Sequence, residues 1–194
     1  MNEPITVTTD SAIELVTLQD AKDFLRIDHN DENARIDSLR KAARRWCETY
    51  VQQSFFTKTL TLNLDYFPSD DKPIYLRRGP VQSVTSLKYY DTNNSQQTWN
   101  SSNYFVDTSS EVGRIYADNV SYPDLYDRPN AIEVIYVAGY SDIDDVPLDF
   151  KEAVLHLIAE WYEVRGNVIV GAQVNEHSTT KAILDQYRIN YSIE

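Results

Sequence analysis

The stretch AIEVIYVAGYSDIDDVPLDFKEAVLHLIAEWYEVRG, residues 131–166, decides the fold because it passes from strand to turn to long helix without interruption. Residues 131–138 are apolar at nearly every second position and rich in β-branched side chains, and Gly139 ends the run. Asp144 and Asp145 precede the next helix, Pro147 falls where a first-turn proline is tolerated, and Gly166 stops it. At 100° per residue Phe150, Val154, Leu157, Ile158, Trp161 and Val164 form one stripe, while Leu155 and Tyr162 lie well round the side. The apolar arc spans about 200°, twice the usual core-facing stripe. A helix clothed in this way needs two packing partners. The expectation is its own core on one side and the β section or another subunit on the other.

Upstream, TLQDAKDFLRI reads as a helix whose Thr17 caps the amide of Asp20, with the Asp20 carboxylate returning the bond. After the polar break DHNDEN a longer helix runs from about residue 33 to 53, with Ile36, Leu39, Ala43, Trp46, Cys47 and Tyr50 at three-and-four spacing. The period then changes to two: Leu60, Leu62, Leu64 and Tyr66 alternate, and strand-like runs continue to residue 140 between turns rich in Asn, Ser, Asp and Pro. Downstream of Gly166 the chain reads as a flexible apolar loop and a short helix capped near Thr179 or Thr180, a tail under-buried on its own and suited to docking. The expected fold class is α+β: a small α-helical bundle with an antiparallel β insertion. It is read as a single domain, divided into an N-terminal helix pair (1–56), the β insertion (57–140), the long helix (141–166) and a tail (167–194).

Composition narrows the function. The chain has 194 residues and a formal net charge of -12, so as a whole it repels nucleic acid and anionic membrane. A protein partner is favoured. One cysteine, Cys47, permits no internal disulfide, and no run of residues approaches a membrane span or a signal peptide. The reading is a cytosolic protein when made.

The motifs that carry chemistry are missing from the sequence. His29, His156 and His177 stand apart with no zinc spacing, and His156 falls on the polar side of its helix. Cys47 lies on the apolar stripe and reads as a small buried hydrophobe. The loop DHNDENARIDSL fails as a calcium loop, with Asn33 where glycine is required and Leu39 where the bidentate glutamate belongs. Asp142, Asp144 and Asp145 precede a helix start, where negative charge serves the fold. RKAARR, residues 40–45, spreads over an outer helix face and pairs Asp37 with Lys41 and Arg44 with Glu48 at i, i+4, which favours a solvated face over nucleic-acid binding. Intersubunit ion pairing through Arg44 and Arg45 is the minority reading. With Leu155 and Tyr162 from the flank of the long helix, these are the candidate subunit-interface residues. No catalytic, metal or cofactor-binding residues are assigned, and the expectation is a non-enzyme. The fourteen tyrosines suit half-buried cross-strand positions, with a carbohydrate-binding β module as the alternative.

In order along the chain, these segments resemble the head-tail connector (adaptor) proteins of tailed bacteriophages, in the subgroup with a β insertion. VTLQDAKDFLRIDHNDENARIDSLRKAARRWCETY is similar to the family's opening helix pair, LRRGPVQSVTSLKYYD to its proline-turn strand pair, and SNYFVDTSSEVGRIY to its Y-x-V-D stretch. VIYVAGYSDIDDVPLDFKEAVLHLIAEWYEVRG matches strand, A-G-Y, V-P and long helix ending in Y-E-x-R, while AILDQYRIN approximates the closing L-L-x-x-Y-R. The resemblance implies a virion structural protein of the neck, present in the host cytoplasm during assembly. It implies a homo-oligomeric ring of about twelve subunits under the portal protein, docking the tail or a stopper protein. DNA would pass through without sequence-specific binding. It also implies that the tail reaches the portal, with Ile183, Leu184, Tyr187 and Arg188 as contacts. Another neck or tail-completion role remains the alternative.

Overall fold

A computed structural model describes residues 5–69, 72–110, 112–163 and 178–189. In chain order the elements are β1 (Ile5–Thr9), α1 (Leu18–Leu25), α2 (Asn33–Val51), β2 (Lys58–Leu64), β3 (Ile74–Leu76), β4 (Val81–Tyr90), β5 (Gln96–Thr98), β6 (Tyr104–Asp107), β7 (Gly113–Ala117), β8 (Ile132–Ala138), α3 (Leu148–Glu163) and α4 (Ser178–Leu184). They fall into two compact units, one of residues 1–11 and 56–141 and one of residues 12–55 and 142–194.

The first unit is built of strands. Five of them form an antiparallel sheet in the order β1-β2-β8-β4-β5, and three form a second in the order β3-β7-β6. Strand β8 alternates strictly, burying Ile132, Val134, Tyr136 and Ala138, and β2 sets Leu60 opposite Tyr136 and Leu62 opposite Val134. Leu87, Trp99, Ile74, Leu76 and Ile115 complete one apolar cluster shared by both sheets. At the close approach, a Cβ on Gly113 of β7 would stand 2.5 Å from Val81 Cγ2, so only glycine fits there. Gly139 closes β8 at φ 108°, where a Cβ would lie 1.9 Å from the Phe56 carbonyl oxygen. Its N–H donates to the Pro80 carbonyl at 2.7 Å, and its own carbonyl accepts from Gln82 Nε2 at 2.7 Å.

The second unit is helical. Thr17 and Asp20 form the expected capping box at α1, with both bonds at 3.0 Å. Helix α2 buries Ile36, Ala43, Cys47 and Val51, and α3 buries Phe150, Ala153, Val154, Leu155, Leu157 and Ile158. Phe55, just past α2, stacks on Phe150 at 4.3 Å and 15°.

The expected small helical bundle with a β insertion is overturned. Among the described residues there are four helices, two of them only eight and seven residues long, against eight strands in two antiparallel sheets. The fold is mixed α+β and sheet-rich. The physical reason is that the strand region carries a complete apolar core of its own, so it does not decorate a bundle. Residues 5–9, assigned from the sequence to the N-terminal helix pair, supply an edge strand to that core's sheet. Tyr66 lies beyond the end of β2 and is 67% exposed, so it does not continue the face of Leu60, Leu62 and Leu64.

Candidate interaction surface

The basic run of α2 divides into an outer and an inner part. Arg40 and Lys41 both reach Asp37, Arg40 Nε at 2.8 Å and Lys41 Nζ at 2.6 Å, and these hydrogen bonds hold the Asp37 carboxyl below its usual range. Arg45 is exposed. Arg44 is not on a solvated face: its side chain is 2% exposed and its guanidinium is clamped between two carboxylates. Nε donates to Glu14 Oε2 at 2.8 Å, Nη2 to Glu14 Oε1 at 3.3 Å and Nη1 to Glu48 Oε2 at 3.0 Å. The other Glu48 oxygen accepts the Phe55 N–H at 2.9 Å, so this charged cluster also ties down the exit from α2.

The C-terminal segment, expected to be under-buried, packs on α2 and α3 of its own chain. Leu184 is fully buried, Ile183 and Tyr187 are half-buried, and Arg188 is exposed with its guanidinium 5.0 Å from the Tyr50 ring centroid. Tyr187 sets its ring edge against Phe150 at 4.8 Å and donates its hydroxyl to Asp149 Oδ2 at 2.5 Å. Tyr50 donates to Asp185 Oδ1 at 2.6 Å, a bond that raises the phenol's pKa, and the Ile189 N–H donates to the Val51 carbonyl at 3.1 Å. The wide apolar arc of α3 is therefore met from within the unit, by α1, α2 and α4. Leu155 is buried there; Tyr162 is half-buried, donating its hydroxyl to Glu32 beneath Arg35, whose guanidinium stands 5.0 Å from the ring centroid. Of the four interface candidates, Arg45 and Tyr162 keep exposed or half-exposed surface, whereas Arg44 and Leu155 are interior. Val164, Gly166, His177 and the loop of residues 167–177 lie outside the described residues.

One feature of this surface went unread in the sequence, and a second was read only as an acidic helix start. At the corner where α1 passes into α2 an open groove is lined by Lys22 and Arg26 together with Asp23 and Asp28. Before α3, Asp142 caps a single 3-10 turn by accepting the Asp144 N–H at 3.1 Å, leaving Asp144 and Asp145 exposed beside Ile143 (44% exposed) and Leu148 (80%). The i, i+4 spacing of Lys22 and Arg26 was the available signal for the groove.

In the strand unit Phe67, Tyr89, Trp99, Tyr104 and Tyr122 pack on one another. Phe67 stacks on Tyr122 at 4.6 Å and Trp99 on Tyr104 at 5.4 Å. The outward face of the three-stranded sheet shows Tyr75, Phe105 and an Arg114–Asp107 ion pair. Hydrogen bonds from Arg114, Ser110 and the Ser109 N–H hold the Asp107 carboxyl down at about 2. As for chemistry, burial, reinforced by Glu48, pushes the Cys47 thiol up to about 12. No group of three metal-ligating side chains occurs among the described residues. His156, placed by the sequence on the polar side of its helix, is half-buried and meets Phe24 edge to face at 5.5 Å.

Comparison with known proteins adds scale to this picture. The chain is similar over 97% of its length to a chain of the virion of a native gene transfer agent particle, with 20% identity, 97% of that chain covered and a TM-score of 0.79. It is similar to a chain in the neck of an empty gene transfer agent particle computed with C6 symmetry (20% identity, TM-score 0.78, 98% and 97% covered). A chain in the neck of a native particle computed with C12 symmetry also matches (19% identity, TM-score 0.73, 97% and 97% covered). At such identities the likeness is one of fold. No curated protein sequence matches the chain. A family model described as head completion protein matches residues 14–189, which bears out the resemblance to head-tail connector proteins. The chain belongs to the head completion protein family.

Proposed function

We propose that this protein is a non-enzymatic structural component of the neck of a tailed virion, a connector that forms a ring beneath the portal and offers a docking surface to a tail-completion or stopper protein. The observation that carries the reading is the family match across residues 14–189, supported by similarity over nearly the full length of chains in symmetric particle necks. A net charge of -12 per subunit supports a wall that repels DNA and lets it slide. Arg45 and Tyr162 are the subunit-contact candidates that retain accessible surface, and Ile183, Tyr187 and Arg188 those for the portal. Leu184 contributes by fixing the segment that presents them.

The test is the absolute mass of the full chain by light scattering, alone and after mixing with the cognate portal. A portal-bound ring is expected, and Arg188→Glu, which changes an exposed side chain without emptying the core, should weaken binding at least about tenfold. A chain that stays monomeric in the presence of portal overturns the proposal.

A further inference from the structure

The groove formed by α1 and the segment that follows it holds a cation that its own chain leaves without a counter-charge. Lys22 is only 6% exposed, yet its ammonium has a single partner among the described residues, the neutral Asn30 Oδ1 at 2.8 Å. An ammonium has three N–H donors, and burying one without a counter-charge is unfavourable. Arg26, one helical turn on, leaves the helix at φ 57° with its backbone N–H bonded into α1. Its side chain makes no hydrogen bond or ion pair among the described residues. Two carboxylates share the groove: Asp23 accepts from Gln19 Nε2 at 2.6 Å, and neither Asp23 nor Asp28 makes an ion pair with Lys22 or Arg26 among the described residues. Half-buried Ile27 adds an apolar wall. Two cations beside an apolar contact call for a carboxylate carried on an apolar segment.

The same chain displays such a segment. Asp144 and Asp145 are exposed and have no cationic partner among the described residues, and Ile143 and Leu148 beside them are 44% and 80% exposed. We propose that the groove at Lys22 and Arg26 is the socket for the loop of residues 142–145 of a second copy. The contact is heterologous: each copy offers a loop and a groove, the arrangement that closes into a ring by rotation. This inference rests on the ring reading above and names the side chains that would join neighbours. A DNA phosphate is the weaker occupant, because it brings no apolar surface to meet Ile27.

The experiment is zero-length carbodiimide cross-linking of the full chain, concentrated as an equal mixture of 14N- and 15N-labelled protein, with the linked peptides read by mass. A mixed-isotope peptide joining Lys22 to Asp144 or Asp145 is expected. It should fall at least about tenfold in Arg26→Glu and return when Arg26→Glu chains are mixed with Asp145→Arg chains, through Lys22 of the first and Asp144 of the second. Mixed-isotope links found only elsewhere overturn the socket and leave the ring reading standing. The lack of any mixed-isotope link at high concentration with the cognate portal present overturns both. A short DNA duplex that protects Lys22 from acetylation, with no Lys22–Asp link formed, overturns the proposal in favour of phosphate.

Discussion

Replacing Arg44 with methionine separates two accounts of the basic run in α2. If Arg44 were one cation on a solvated face, losing it would cost at most about 1 kcal/mol, the range of exposed ion pairs. With a side chain 2% exposed between Glu14 at 10% and Glu48 at 5%, the substitution instead strips the guanidinium from two largely buried carboxylates. Breaking a buried pair from one side costs about 3–5 kcal/mol. Methionine fills much of the volume, so the loss reports charge more than cavity. Urea unfolding at pH 7, followed by helical circular dichroism, measures this loss. A loss below about 1 kcal/mol refutes the buried-clamp account.

Gly139→Ala should be among the most damaging single changes in the strand unit, because the new Cβ at φ 108° meets the backbone of Phe56 at 1.9 Å and no side-chain rotation relieves it. We expect a loss of at least about 3 kcal/mol, measured as a fall in thermal midpoint, and a loss under about 1 kcal/mol would count against this geometry. Cys47, with its thiol pushed up to about 12 and its side chain buried, should resist thiol reagents in the native protein and react promptly in urea. Fast native labelling would show that α2 opens far more readily than its packing implies.

The legible parts of the fold were those governed by local rules. The spacing of Thr17 and Asp20 announces the capping box, and the alternation in 131–138 announces β8 with its buried face. Strands of three residues such as β3 and β5 are too short to display a period, and their existence is decided by partners far away in sequence. Arg44 was misjudged because helical phase alone cannot show a carboxylate arriving from Glu14, thirty residues upstream. A signal was present nonetheless: the residue at 51, seven positions on and hence on the same helical face, is an apolar valine. The tail was misjudged for a related reason. Ile183, Leu184 and Tyr187 look orphaned in sequence, while Phe150 and Asp149, the partners of Tyr187, and Val51, the partner of Ile189, lie in helices far upstream along the chain.

The chain enters the strand unit at residues 5–11, leaves it for residues 12–55, returns for 56–141 and leaves again. A threading of this kind orders events during synthesis. Strand β8 lies between β2 and β4 yet emerges last of the eight, so until residue 138 has left the ribosome those two strands have nothing to pair with along their facing edges. The helical unit waits longer still, for α4. Nascent chains of this protein therefore carry the open edge of β2 from residue 64 until residue 138 is made, and assembly into any larger structure can begin only from chains that extend to α4.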